Sequence, residues 1–140
     1  MSYADRGVFV LARTSNPGAG DLQDLRVDGE PLYMAVARQA QRWNRHGNCG
    51  LVVGATFPQE MERLRRAVPK LPFLIPGIGA QGGNLEAAIV HGTTADGLGP
   101  LVAVSRSIIY ASSADDFAEA ARGAADELRR EMNRIGRCLK

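Results

Sequence analysis

Short apolar runs alternate with longer amphipathic stretches four times along this 140-residue chain. The runs occupy residues 7–12, 50–55, 72–76 and 101–105. They are continuous rather than alternating, which predicts strands that are buried on both faces, as in a parallel sheet. Each run is followed by residues with helical apolar spacing, so the chain is predicted to contain four βα units. An α/β fold of this kind is either half of a (β/α)8 barrel, whose eight units take about 250 residues, or a small doubly wound sheet.

Prolines and apolar spacing indicate where the helices begin. Pro31 and Pro58 suit the first turn of a helix, where the missing N–H group has no partner to lose. A further helix is predicted around residues 85–90. The last helix is predicted to have Ser113 as its cap, with Asp116 in the capping-box position. Its apolar stripe comprises Phe117, Ala121, Ala124, Leu128 and Met132.

The composition limits the class of protein. The 17 Lys and Arg residues against 15 Asp and Glu residues give a net charge of +2, which is too small to indicate a nucleic-acid partner. No apolar run reaches the ~18 residues that a membrane span needs. Cys49 and Cys138 lie far apart and lack metal-ligand spacing. We therefore expect free thiols in the cytoplasm, no bound metal, and neither a nucleic-acid nor a membrane partner.

A glycine-rich segment, residues 76–83, lies directly after a predicted strand and before a predicted helix. Its sequence is Pro-Gly-Ile-Gly-Ala-Gln-Gly-Gly. Glycines let the backbone curl so that its N–H groups point at one spot, and the helix that follows adds its positive end. The segment therefore predicts a phosphate site. The alternative is a turn that serves only tight packing between the strand and the helix.

Polar residues follow two other predicted strands. Arg106 comes after the fourth strand and can make a bidentate contact with the same phosphate, or it is simply a solvated loop residue. Ser15 and Asn16 come after the first strand, where they can hydrogen-bond the polar edge of a base. The alternative for Asn16 is a chain reversal through Asn-Pro-Gly.

Four motifs in this order resemble the bacterial orotidine 5′-phosphate decarboxylase family. They are Val-Leu-Ala-Arg-Thr-Ser-Asn-Pro-Gly, Gly-Leu-Val-Val-Gly-Ala-Thr, Phe-Leu-Ile-Pro-Gly-Ile-Gly-Ala-Gln-Gly-Gly and Ser-Arg-Ser-Ile-Ile-Tyr-Ala-Ser. The resemblance runs from about Gly7 to Asn133. It implies a TIM barrel, of which this chain is the C-terminal half with strands five to eight. It also implies conversion of orotidine 5′-phosphate to UMP and CO₂ without a cofactor.

The resemblance further implies a role for each candidate residue. Ser15 would contact the pyrimidine edge, Pro76 would line its pocket, and Gln81 would bridge base and phosphate. The phosphate would be held by Gly79, Gly82, Gly83 and Arg106. The family pattern has a glycine after this arginine, where this chain has Ser107, so the loop is expected to be more restricted.

The lysine of the family's decarboxylation chemistry has no counterpart in this sequence. In the family it belongs to an Asp-x-Lys-x-x-Asp motif in the first half of the barrel. The lysines here are Lys70, just before a predicted strand, and Lys140. Phosphate binding energy accelerates a reaction only when a reacting group is present to benefit from it. We therefore predict no catalytic residue, and no decarboxylation by the isolated chain.

Residues 1–140 are thus predicted to form one half-barrel domain, without the N-terminal half that carries the catalytic lysine and aspartates. Half a barrel has two unpaired sheet edges, so self-association or pairing with an N-terminal half is expected. The resemblance suggests a homodimer for the full-length family. Two rival functions stay open. One is a non-catalytic phosphate- or nucleotide-binding half-barrel, or one subunit of a split enzyme. The other is a barrel enzyme that acts on sugar phosphates.

Overall fold

A computed structural model describes residues 3–79 and 81–139 of the chain. Among them, helices follow strands along the whole chain, and no helix in these ranges is long and apolar enough to cross a membrane. In chain order the elements are β1 (Val8–Arg13), α1 (Ala19–Gln23), β2 (Arg26–Val27), β3 (Glu30–Pro31), α2 (Leu32–Trp43), β4 (Cys49–Val53), α3 (Pro58–Ala67), β5 (Phe73–Pro76), α4 (Leu85–Gly92), β6 (Leu101–Ala103), α5 (Arg106–Ile109) and α6 (Phe117–Arg137).

Four parallel strands form the main sheet in the order β1-β4-β5-β6. These four strands therefore lie in the sheet in the same order as along the chain, and the order never reverses. A doubly wound sheet reverses its strand order at a switch point, whereas a (β/α)8 barrel adds each strand to the same side of the one before it. The structure confirms the predicted α/β fold with four βα units and excludes the doubly wound alternative.

The core lies between the two central strands and the helices that cover them. Leu51 and Val53 of β4, Phe73 and Ile75 of β5, and Met61 of α3 are all fully buried. One face of each central strand is fully buried, and the other face, which carries Val52 and Leu74, is half-buried, so the predicted burial on both faces holds here only in part. The predicted burial on both faces is wrong for the first and the fourth strand. Exposed apolar side chains on the two outer strands are Val8, Phe9, Leu11 and Leu101. The physical reason is that β1 and β6 are the edges of the sheet.

Three local features were not predicted. The first is α1, a five-residue helix after β1. The second is a hairpin of β2 and β3, whose turn residues, Asp28 and Gly29, both have positive φ (52° and 84°). This is the geometry of a type I′ turn, for which Asp-Gly is a preferred sequence. The third is α5, a single turn after β6.

The start of the last helix differs from the prediction. The helix begins at Phe117 rather than at residue 114, and Ser112, not Ser113, hydrogen-bonds Asp116 at its start (2.6 Å).

Arg65 ties the amino-terminal side of the sheet together. Its guanidinium lies over the Phe73 ring, 3.8 Å from the centroid, and donates hydrogen bonds from α3 to four backbone carbonyls. These belong to Val68 (3.0 Å), Leu71 (2.9 Å), His91 (3.2 Å) and Gly92 (2.8 Å). Burial lowers the pKa of Arg65 to about 10, so the side chain is still charged at neutral pH. One half-buried cation thereby joins the carboxyl ends of α3 and α4 to the start of β5.

Candidate functional site

Three loops meet at the carboxyl ends of the strands, on the side of the sheet opposite Arg65. They follow β1, β5 and β6, and they carry every residue that the sequence nominated. A cavity of about 180 Å³ opens between the last two loops. Its lining consists of Pro76, Gly77, Ile78, Gln81, Ala103, Ser105 and Arg106. The structure therefore brings Pro76, Gln81 and Arg106 together, as parallel strands with aligned carboxyl ends require.

The loop after β5 is closed on itself by hydrogen bonds. Gly82 N donates to Gly79 O (2.8 Å) and Gly83 N donates to Gly77 O (3.0 Å). The glycines are needed for this path because Gly77, Gly79 and Gly82 have φ of 97°, 80° and 74°. The sequence predicted that the loop N–H groups point at one open spot. For Gly82 and Gly83 the structure differs, since both donors are engaged inside the loop. Their contact with a phosphate stays a prediction.

Gly83 also allows the loop after β5 to lie close to Ala55, just beyond the end of β4. A Cβ on Gly83 would lie 2.4 Å from Ala55 Cβ and 2.5 Å from Gly77 O, both of which are rigid. The next residue, Asn84, begins α4: its side-chain oxygen accepts a hydrogen bond from Ala87 N (2.9 Å). Such a cap satisfies one of the free N–H groups of the first turn. The loop is thus fixed by β4 on one side and by the helix on the other.

Ser15 reaches the same region from the loop after β1. Its Oγ is buried and has no hydrogen-bond partner among the residues that the structure describes. A Cβ on Gly77 would lie 3.0 Å from this Oγ and 2.8 Å from Gln81 Oε1, so both polar side chains crowd the open side of Gly77. Ser15 also packs against Gly54, where a Cβ would be 2.2 Å from the hydroxyl. A buried hydroxyl without a partner is unfavourable, and a bound polar group can relieve that penalty.

Asn16 does not join this group. Its side-chain oxygen accepts a hydrogen bond from Thr14 Oγ1, and its backbone carbonyl accepts one from Ala19 N (3.0 Å). The side chain is exposed, and the residue does not line the cavity. This arrangement fits the chain-reversal alternative. A contact between Asn16 and a base stays a prediction.

Arg106 is the exposed first residue of α5, at the rim of the cavity. The part of the chain that the structure describes holds no carboxylate within ion-pair distance of it. The neighbouring Ser107 packs against the loop after β5, because a Cβ on Gly79 would lie 2.7 Å from Ser107 Oγ. Ser107 therefore packs the segment after β6 against the loop after β5.

Some residues of this region were not nominated from the sequence. Ser105 lines the cavity, and its position directly after β6 is a signal that could have identified it. Thr56, just beyond β4, has a buried Oγ1 without a partner in the described ranges. Arg13 is 3% exposed at the end of β1, where a polar loop was expected to begin. In residues 3–79 and 81–139, no three His, Cys, Asp or Glu side chains are placed to hold a metal ion.

The lysines lie away from the cavity or outside the described residues. Lys70 is exposed and precedes β5, at the edge of the sheet opposite the three loops. Its ammonium group acts on Asp96, whose pKa is lowered mainly by a hydrogen bond from Thr94 and also by the charge of Lys70. Lys140 lies outside the residues that the structure describes.

Comparison with known proteins identifies the family. The model of the orotidine 5′-phosphate decarboxylase / HUMPS family matches residues 1–123. The chain belongs to this family. Decarboxylases of that name from Cupriavidus necator and Cellvibrio japonicus are 57% and 54% identical over 135 and 133 residues, which is 96% and 94% of this chain. The match covers 50% and 49% of those relatives, so the chain spans about half their length.

Solved structures of the orotidine 5′-phosphate decarboxylase family have the same fold. The chain superposes on Leishmania donovani UMP synthase with a TM-score of 0.85 and 50% identity, and on the OMP decarboxylase of the same organism with 0.82 and 47%. In both cases 96% of this chain is covered, but only 29% and 50% of the solved chain. The expected family and the expected half-length match are both confirmed.

Proposed function

We propose that the chain supplies the nucleotide-binding half of an orotidine 5′-phosphate decarboxylase barrel. The observation that carries this proposal is the cavity in which Pro76, Gln81 and Arg106 meet at the carboxyl ends of β5 and β6. Its volume of about 180 Å³ is below the ~300–1,000 Å³ of complete small-molecule sites. A small cavity supports a shared site, to which the other half of the barrel adds the remaining wall.

The chemistry of the lining suits the two ends of a pyrimidine nucleotide. Gln81 in the lining and the adjoining Ser15 offer an amide and an uncharged hydroxyl, both beside Gly77. Such groups match the carbonyl and N–H pattern on the edge of a pyrimidine. Arg106 offers a planar cation that binds phosphate oxygens in a bidentate manner. In this proposal the base lies toward β1 and the phosphate toward β6.

The same lining lacks a group for the chemical step. Decarboxylation breaks the bond between C6 and the carboxylate and places a proton on C6. The residues that line the cavity include no lysine, histidine, aspartate or glutamate. We therefore propose that these 140 residues bind the nucleotide but do not decarboxylate it by themselves. The group that stabilises and protonates C6 would come from the other half of the barrel.

The edges of the sheet are where that other half would pair. β1 and β6 are the outer strands, and Val8, Phe9, Leu11 and Leu101 on them are 37–58% exposed. Unpaired edges with apolar side chains favour association. Strands from an N-terminal half, or from a second copy of the chain, would cover both. A cytoplasmic location belongs to the same proposal, because Cys49 and Cys138 are free thiols.

The direct test measures binding and turnover on the same sample. UMP at 100 times its dissociation constant should raise the free energy of unfolding by about 2.7 kcal/mol, while uridine and ribose 5-phosphate stabilise the chain less. Orotidine 5′-phosphate should give no UMP by mass spectrometry until the first half of the Cupriavidus necator relative is added. Turnover by the purified chain alone would overturn the claim of inactivity. Preference for the sugar phosphate over UMP would favour the rival barrel enzyme.

Replacing Arg106 with alanine is expected to weaken UMP binding by about 10- to 100-fold. The change removes charge-assisted hydrogen bonds to the phosphate, which contribute about 1.5–3 kcal/mol. Uridine has no phosphate, so its affinity should stay the same. Isothermal titration calorimetry with both ligands checks this, with Arg122→Ala on the exposed face of α6 as the control. Equal losses for UMP and uridine would place Arg106 away from the phosphate.

A further inference from the structure

Arg13 is a buried cation beside the candidate site to which the proposed function gives no role. It is the last residue of β1 and is 3% exposed. The pairing of β1 with β4 shifts between Leu11 and Arg13, and both Ala12 and Arg13 are buried. Irregularities of this kind change the direction of the side chains that follow them. The guanidinium is thereby turned into the protein rather than toward solvent.

The surroundings of the guanidinium hold it in one orientation. It lies 4.2 Å from the centre of the Phe57 ring and 5.4 Å from that of Tyr33. Its Nη1 donates to Asp24 Oδ1 (2.9 Å) and its Nη2 to Oδ2 (3.4 Å). Planar stacking and a two-pronged contact with a carboxylate are geometries that arginine can adopt and lysine cannot.

This arrangement is not explained by stability alone. The Arg13 Nε is buried and has no partner among the described residues. Removing the guanidinium from water is unfavourable, and its ion pair offsets little of that cost because the Asp24 side chain is 53% exposed. A methionine would fill the space between the two rings without an unsatisfied N–H group. A role in positioning the loop after β1 would explain why a cation is kept at this place.

The contacts of Arg13 and its neighbours connect the end of β1 to the end of α1. The Arg13–Asp24 pair is the first connection, because Asp24 directly follows α1. Thr14 N donates to Gln23 Oε1 (3.0 Å), and Gln23 Nε2 donates to Thr14 Oγ1 (2.9 Å). The next residue is Ser15, whose unpartnered Oγ packs against Gly54 and Gly77. Arg13 O also accepts a hydrogen bond from Gly54 N (2.8 Å).

We propose that Arg13 is a positioning residue that fixes the Ser15 hydroxyl for the pyrimidine through its clamp on Asp24, Phe57 and Tyr33. The inference rests on the proposed nucleotide site for the identity of the ligand. Its structural part, the immobilisation of Ser15, is independent of any ligand. Arg13 touches no substrate in this scheme and acts only by holding the loop after β1.

The test is a double-mutant cycle between Arg13 and Ser15 in the 140-residue chain, with UMP affinity measured by calorimetry. Arg13→Met should weaken UMP binding about 10-fold, and Ser15→Ala by a similar factor. In the Ser15→Ala background, Arg13→Met should change the affinity by less than about 2-fold, because the hydroxyl it positions is gone. Arg13→Lys and Asp24→Asn keep the site filled and should give intermediate losses. Arg38→Met, which removes an exposed pair with Glu30, is the control with unchanged affinity.

Amide hydrogen exchange without ligand separates this inference from the proposed function. Arg13→Met should speed exchange at Thr14 and Gly54, whose N–H groups donate to Gln23 Oε1 and to Arg13 O on either side of the loop, by at least about 10-fold, whereas Arg38→Met should not. Exchange at wild-type rates would overturn the positioning role, as would an equal loss of UMP affinity with and without the Ser15 hydroxyl. Absence of UMP binding in the wild-type chain would overturn the proposed function, while the exchange rates would still decide whether Arg13 fixes Ser15.

Discussion

Replacing Gly83 with alanine is expected to weaken UMP binding by about 10- to 100-fold, in a chain that is also less stable by about 1–3 kcal/mol. The new Cβ would lie 2.4 Å from Ala55 Cβ and 2.5 Å from Gly77 O, so the loop after β5 must move away from β4. That movement breaks the hydrogen bond from Gly83 N to Gly77 O and displaces Gln81 from the cavity. Lost polar contacts of about 1.5–3 kcal/mol account for the change in affinity.

The matched control for this prediction is Gly123→Ala in the exposed part of α6, where a Cβ would meet nothing within 4 Å. Alanine is the better helix former, so this variant should gain about 0.5–1 kcal/mol and keep its affinity for UMP. Calorimetric titration and urea unfolding measure the two effects separately. A Gly83→Ala chain that binds UMP as tightly as the wild type would contradict the close packing of this loop.

Replacing Arg65 with methionine is expected to lower the free energy of unfolding by about 1.5–3 kcal/mol, the range for hydrogen bonds that involve a charged group. Methionine fills much of the space above Phe73 but donates no hydrogen bond. The carbonyls of His91 and Gly92 at the end of α4 then lose the partner that the helix itself cannot provide. Because this one side chain holds both α3 and α4, the substitution should destabilise the packing of two helices.

Urea denaturation measures this effect, and the neighbouring residue supplies the control. Arg66 is exposed on the same helix and pairs with Glu62, one turn away. Arg66→Met should therefore change the free energy of unfolding by no more than about 0.5 kcal/mol. Similar losses in the two variants would mean that the four carbonyl contacts of Arg65 add little to the stability of the fold.

The sequence predicted the central strands well and the outer parts of the chain less well. Continuous apolar runs are typical of strands with two covered faces, but β4 and β5 are only half-buried on one face, at Val52 and Leu74. An edge strand such as β1 can have the same composition. The β2–β3 hairpin escaped prediction although its Asp28-Gly29 turn is a strong signal. Its strands are two residues each, too short for a period to be recognised. α1 and α5 were missed for the same reason, because they have five and four residues.

The candidate site could likewise be predicted from the sequence only in part. Pro76, Gln81 and Arg106 could be placed together from the sequence, because each follows a parallel strand whose carboxyl end faces the same edge. The packing of Ser15 against Gly77 could not, since it depends on how closely two loops approach. The direction of the N–H groups of Gly82 and Gly83 depends on hydrogen bonds inside the loop that composition does not reveal. Arg13 resembles an ordinary loop arginine until Phe57 and Tyr33 enclose it.

The parallel direction of the two outer strands limits how this sheet can grow. β6 of one sheet pairs in parallel only with a β1-type edge of another, which is a head-to-tail contact between different surfaces. Head-to-tail contacts give a closed ring when the last sheet pairs with the first, and otherwise they give an open assembly that keeps adding copies. Strand tilt and twist bring eight strands back to the starting point. The curvature of the sheet, rather than the strength of the edge contacts, thus determines whether the assembly is a closed ring or an open stack.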